Sequence, residues 1–213
     1  MKTFVITPVK RFENSKTRLS SILSAGERAQ LAGLMLQDTL AALAPLRLGI
    51  VVVSPDSRAG EIAGQHEAQF IHEEKDSGVN AAVRLADDYC STAGADATIV
   101  VPEDLPLLSA RDINELCAMA EKEPRCVVIC PSARYDGTNI LLRKPPAAIT
   151  TYYDNDSYNR HSQAARQAGI LLRVARMDRL MFDIDTPSDV ARLLRTKDAN
   201  AKATLEFLSR RIA

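Results

Sequence analysis

The chain has 213 residues, 46% hydrophobic and 25% charged, the proportions of one soluble globular domain spanning 1–213. Lys plus Arg and Asp plus Glu are both 27, so the net charge is zero and the chain is a poor candidate for nonspecific nucleic-acid binding, which depends on a basic surface. No apolar run approaches the roughly 18 residues of a membrane span, and the opening TFVI-Thr-Pro lacks the apolar core and cleavage site of a secretory signal, so a cytoplasmic protein is expected.

The first predicted strand is TFVIT (3–7), and a basic loop follows it. A helix over 25–44 opens on Ser24-Ala-Gly-Glu27, a capping box. Strands are predicted at 48–54 and 68–72, then a helix at 80–92 after the turn-forming Lys75-Asp-Ser-Gly78-Val-Asn80, with Asn80 as its cap. The strand at 97–101 leads through PEDLPL to a helix at 110–122. Strands at 126–130 and 139–143 surround the turn Tyr135-Asp-Gly137. A helix at 158–168 is capped by Asp156 or Ser157, and a strand follows at 170–175. Helices at 187–196 and 198–210 close the chain, the first with Thr186 as cap and Pro187 at its first position. The runs IVVV and TIVV are continuously apolar, as in strands covered on both faces. The alternation predicts an α/β fold, a mainly parallel sheet between two helical layers. The segment 126–175 breaks the rhythm and is expected as an insertion over one sheet edge and the site.

In open α/β sheets ligands bind beyond the carboxyl ends of the strands. After the first strand, Lys10, Arg11, Lys16 and Arg18 fall within nine residues against a single acid, Glu13. No glycine lies between Met1 and Gly26, which excludes a P-loop and a GxGxxG turn. Any anion here must be held by side chains, Arg gripping phosphate bidentately. The alternative is a solvated basic loop. On either reading Lys16 is a surface side chain whose loss changes stability by less than about 0.5 kcal/mol.

After the strand at 97–101 come Glu103 and Asp104 between prolines, placed to hold a cation or to form a polar turn; Mg²⁺ takes one or two carboxylates plus phosphate oxygens and water. In Phe182-Asp183-Ile184-Asp185-Thr186-Pro187 the two acids of an extended segment share a side, costly unless a cation or hydrogen bonds intervene. Capping explains Thr186 and Asp189 but not Asp183 and Asp185. The cysteines, Cys90, Cys117, Cys126 and Cys130, form no CxxC and read as small hydrophobes in a reducing compartment. His66, His72 and His161 have no metal spacing and read as structural or surface residues.

PVKRFENSKTRLS, GVNAA, PEDLPLL, DGTN, SYNRHSQAA and DIDTPSD, in this order, resemble the 2-phospho-L-lactate guanylyltransferase family of deazaflavin coenzyme biosynthesis, over residues 1 to about 195. The resemblance implies a three-layer, nucleotide-diphospho-sugar-transferase-like (GT-A-type) fold and an Mg²⁺-dependent reaction of GTP with 2-phospho-L-lactate. Bacterial relatives use phosphoenolpyruvate or 3-phosphoglycerate. It assigns Asp104 and Asp183 or Asp185 to the metal and Lys16 to the acceptor phosphate. It assigns Thr138 and Ser157 to the acceptor's carboxylate end, and Lys10, Gly78 and Asn80 to the nucleotide side; Arg18 joins the phosphate loop. Some relatives carry a glycine pair where this chain has Asp154-Asn155-Asp156. A homodimer is compatible with this reading. A glycosyltransferase of similar fold would need an aromatic sugar platform, against 0 Trp and 5 Tyr here. A nonenzymatic nucleotide-binding module would have no need of the acids.

Overall fold

In the computed structural model, which describes residues 1–196 and 199–212, seven strands form one sheet. They are β1 (Thr3–Pro8), β2 (Gly49–Ser54), β3 (Gln69–His72), β4 (Ala97–Val100), β5 (Cys126–Pro131), β6 (Thr138–Lys144) and β7 (Leu171–Val174). The helices are α1 (Ala25–Leu43), α2 (Ser57–Gln65), α3 (Val79–Thr92), α4 (Ala110–Glu121), α5 (Ser157–Gln167), α6 (Pro187–Leu194) and α7 (Lys202–Ile212). The residue expected to begin the last helix, Asp198, lies outside the described residues. The sheet order is β3-β2-β1-β4-β6-β5-β7. Every neighbouring pair is parallel except those made by β6, which runs antiparallel to β4 and β5.

Alternation along each strand divides the core between the two sheet faces. Ile99, Val128 and Leu142 face α4 in one cluster, while Val51, Val53 and Leu141 face α3 and α5 in the other. Val52, between Val51 and Val53, packs under α1 and α2. Phe182, Ile184, α6 and α7 close over α1 in a fourth cluster. On the β4–β6 pair, Arg143 is only 1% exposed and grips Asp87 of α3 through two 2.7 Å hydrogen bonds, with Thr98 beside them.

The segment 126–175 supplies β5, β6, α5 and β7, so it enters the sheet: β6 lies between β4 and β5, and β7 forms the edge opposite β3. Helix α2 was not expected from the sequence. It carries two glycines, Gly60 and Gly64; a Cβ on Gly60 would come within 2.7 Å of the Phe70 ring, so close packing on β3 demands glycine there. Asp56 caps α2 by accepting from the Arg58 N–H. The capping boxes at Ser24 and Thr186 form as expected. The cysteines are free; Cys90, Cys126 and Cys130 are buried.

Candidate active site

The parallel strands β1 and β4 both end on one cleft of about 390 Å³. The register sets Thr98 opposite Arg143 and Val100 opposite Leu141, so the start of β6 lies beyond the end of β4. Thr138 therefore reaches the same cleft as Glu103 and Asp104, although its strand runs the other way. Lys10, Lys16, Arg18, Asp104, Thr138 and Asp185 all line it.

Lys16 is the centre of the charge arrangement. Its backbone is left-handed, φ 52° and ψ 37°, which costs about 1–2 kcal/mol for a non-glycine residue. This turn sends the side chain inward, leaving it 5% exposed. Nζ donates to Asp104 Oδ2 at 2.6 Å and to Asp185 Oδ1 at 3.1 Å. Arg18 donates to the other oxygen of Asp185 at 3.4 Å. The expectation of a surface lysine is thus corrected: Lys16 is a buried cation between two acids. Burial works against its charge, yet Asp104, Asp185 and Glu103 more than offset it, and its pKa lies above the ordinary lysine value.

The Asp183–Asp185 segment is tied to the end of β4 by the Ile184 N–H, which donates to the Asp104 carbonyl at 3.1 Å. Asp185 reaches the cleft, whereas Asp183 is half-buried and not part of its lining. Burial and then the charges of Asp104 and Asp185 push the Asp183 carboxyl up to about 6. Burial and Asp104 push Glu103 up to about 7. The carboxylate oxygens of Asp104, Asp183 and Asp185 are hard donors of the type Mg²⁺ takes. Among the described residues no three His, Cys, Asp or Glu side chains gather to hold an ion by themselves. The donor set therefore fits an ion held by one or two carboxylates and completed by substrate phosphate and water.

Ser157, Gly78 and Asn80 support the cleft without lining it. Ser157 Oγ accepts the Thr138 backbone N–H at 2.8 Å. Neither Ser157 nor Asp156 caps α5 through its side chain; Asp156 instead makes a left-handed turn, φ 57°, into the helix. Asn80 is not the cap of α3 either. Gly78 holds that position with φ 86° and ψ 166°, a conformation open essentially to glycine alone. Asn80 Oδ1 accepts the Tyr153 N–H at 2.8 Å and its amide donates to Asp154, tying α3 to the loop before α5. Sequence reasoning missed Tyr153, which lines the cleft, and the contacts of His161, whose ring packs 5.0 Å from Tyr153. The helical spacing of Ser157 and His161, which sets both on one side of a helix, was the available signal.

A sheet flanked by helices on both faces, with acids and bases gathered where its strands end, defines an α/β protein of the nucleotide-diphospho-sugar-transferase type. Of the same fold is a crystal structure from Desulfovibrio desulfuricans G20 assigned to those transferases, with a TM-score of 0.76 at 16% identity over 98% of this chain and 97% of that one. The chain belongs to the CofC-like guanylyltransferase family: the family described as "Guanylyl transferase CofC like" matches residues 3–212. A phosphoenolpyruvate guanylyltransferase of Rubrobacter xylanophilus is 37% identical over 91% of this chain and 94% of its own. A 2-phospho-L-lactate guanylyltransferase of Methanothermobacter thermautotrophicus is 34% identical over 91% and 85%. A 3-phospho-D-glycerate guanylyltransferase of Colwellia psychrerythraea is 32% identical over 89% and 90%. No helix among the described residues is long and apolar enough to cross a membrane.

Proposed function

We propose that the chain joins the GMP part of GTP to 2-phospho-L-lactate, giving lactyl-2-diphospho-5'-guanosine and pyrophosphate, in deazaflavin coenzyme biosynthesis. The observation that carries this is the Lys16 ammonium, fixed between Asp104 and Asp185 in a cleft that Thr138 also lines. An oxygen of the acceptor phosphate attacks the α-phosphorus of GTP, a new P–O bond forms, and the bond to the pyrophosphate leaving group breaks. The acceptor phosphate is already ionised near neutral pH, its second pKa being about 6, so no strong base is required. The work of the protein is positioning and charge neutralisation.

Lys10, Lys16 and Arg18 take the phosphate charge. Asp104 with Asp183 or Asp185 would hold Mg²⁺, which supplies further neutralisation of the phosphate oxygens when bound. The crowding that pushes Asp183 and Glu103 upward is what such a cation relieves. Thr138, with Ser157 and the start of α5 behind it, takes the carboxylate.

A second acceptor, phosphoenolpyruvate, is favoured by the names of several relatives. It shares with 2-phospho-L-lactate a phosphate on the carbon next to the carboxylate, so the same two-point grip fits both. The test is pyrophosphate release with Mg²⁺, crossing four nucleoside triphosphates with the two acids, 3-phosphoglycerate and an alkyl phosphate of similar size. Fastest turnover is expected for GTP with 2-phospho-L-lactate. A faster rate with phosphoenolpyruvate moves the chain to the second reading. Equal rates for the acids and the alkyl phosphate would refute a carboxylate site.

A further inference from the structure

His161 sits on α5 with none of its surface exposed. Its two ring nitrogens meet different partners. The Tyr152 backbone N–H donates to Nε2 at 2.7 Å, and Nδ1 lies 3.0 Å from Thr138 Oγ1. A peptide N–H can only donate, so Nε2 presents its lone pair. The one proton of the neutral ring is then on Nδ1, and that N–H donates to the Thr138 oxygen. Burial, and then the positive charges of Arg143 and Arg160, hold the ring pKa down at about 4, so the neutral ring is the form present at neutral pH.

This bond settles the direction of the Thr138 hydroxyl. A hydroxyl can donate or accept, and a free one turns to suit its surroundings. Here its oxygen already receives the His161 proton, and among the described residues it has no other hydrogen-bond partner. The Thr138 proton is left for the cleft, which this side chain lines. The Thr138 backbone is fixed as well, by its N–H bond to Ser157 Oγ at 2.8 Å.

We infer that His161 is a positioning residue, which makes the Thr138 hydroxyl a committed donor to an anionic oxygen of the acceptor acid. The inference rests on the reading of the Thr138 side of the cleft as the acceptor site. An anion offers only lone pairs, so a hydroxyl that must first turn round binds it less well than one already turned.

The test is steady-state kinetics with 2-phospho-L-lactate, or phosphoenolpyruvate if the wild type prefers it, in four variants. His161→Gln keeps an acceptor for Tyr152 but loses the donor to Thr138. It is expected to raise the acceptor KM about tenfold, the scale of one hydrogen bond to a charged group, with the GTP KM little changed. His161→Asn places an amide near the Nδ1 position and should recover most of that loss. Thr138→Val should raise the acceptor KM as much, and the double variant Thr138→Val/His161→Gln no further. A raised KM in Thr138→Val with a wild-type value in His161→Gln overturns the role of His161 alone. A wild-type value in Thr138→Val overturns the acceptor reading itself. Should His161→Gln fail to fold, ¹⁵N-histidine NMR on the wild-type protein decides. One Nδ1–H tautomer that shifts on adding the acceptor is expected; an Nε2–H tautomer, or no shift, overturns the inference.

Discussion

Replacing Lys16 by Met keeps most of the aliphatic stem and removes the ammonium. Its ion pairs with Asp104 and Asp185, at 2.6 and 3.1 Å, are each worth about 5–6 kcal/mol at an effective dielectric of about 20 and about 1.5 kcal/mol in water. Asp104 and Asp185 are 19% and 36% exposed, so water screens part of this, and the cost of burying the ammonium takes back more. A net destabilisation of about 2 kcal/mol remains, which lowers the melting temperature of a chain this long by about 4–8 °C. The catalytic effect is larger. Removing one preorganised donor from a developing anion costs about 10²–10³ in rate. Thermal melts and pyrophosphate release, on the same preparation, measure both. A melting temperature within about 1 °C of wild type, with kcat/KM within about twofold, would refute the buried-cation argument, since surface substitutions behave in that way.

Asp104→Asn should retain the fold and lose most turnover, because an amide offers neither Lys16 nor Mg²⁺ a full charge; near wild-type pyrophosphate release at ordinary Mg²⁺ contradicts this. Asp87→Asn leaves the Arg143 guanidinium buried without its counter-charge, at a cost of about 3–5 kcal/mol. Chemical denaturation should show that loss, and Asp87→Leu/Arg143→Met should recover most of it. Asp56 is held down at about 2, against an ordinary 3.8, first by its hydrogen bond from Arg58 and also by the Phe12 N–H. A lowered pKa means stability that is present above the unfolded value and lost as pH falls through the folded one. The gap in urea stability between wild type and Asp56→Asn should therefore be full near about pH 6 and close between about pH 4 and 2. A gap independent of pH argues against the carboxylate as its source.

All seven strands were legible because their apolar runs are short, β-branched and bounded by turn residues. Helix α2 was not, because Gly60 reports on the Phe70 ring lying across it, a contact between elements that no local pattern contains. Glu103 and Asp104 were legible from their place just after a strand, and Asp185 from its alternation with Asp183 before a capped helix. The depth of Lys16 was not, since it follows from one left-handed residue in a polar loop. Asn80 and Ser157 were read as caps from their position before helices. Their side chains instead bond the backbones of Tyr153 and Thr138, distant in sequence. Polar residues at helix starts have two uses, and local sequence distinguishes them poorly.

The reversed direction of β6 means that the cleft is lined by two separate stretches of the chain that enter it from opposite strand ends. The charged wall comes from residues that follow β1 and β4 and precede α6, all anchored to the parallel strands or to the cluster beneath α1. Thr138 and Tyr153 come from another stretch, Thr138 to His161, which enters the site at the beginning of a strand rather than at its end. Changes of length or sequence in the turn at 132–137 reach Thr138 without passing through the residues that follow β1 and β4, whereas changes in the loop between β6 and α5 also meet Asn80 of α3 through Tyr153 and Asp154. On the proposed function, a fold so divided puts the choice of acid in one short segment, apart from the residues that meet the nucleotide phosphates.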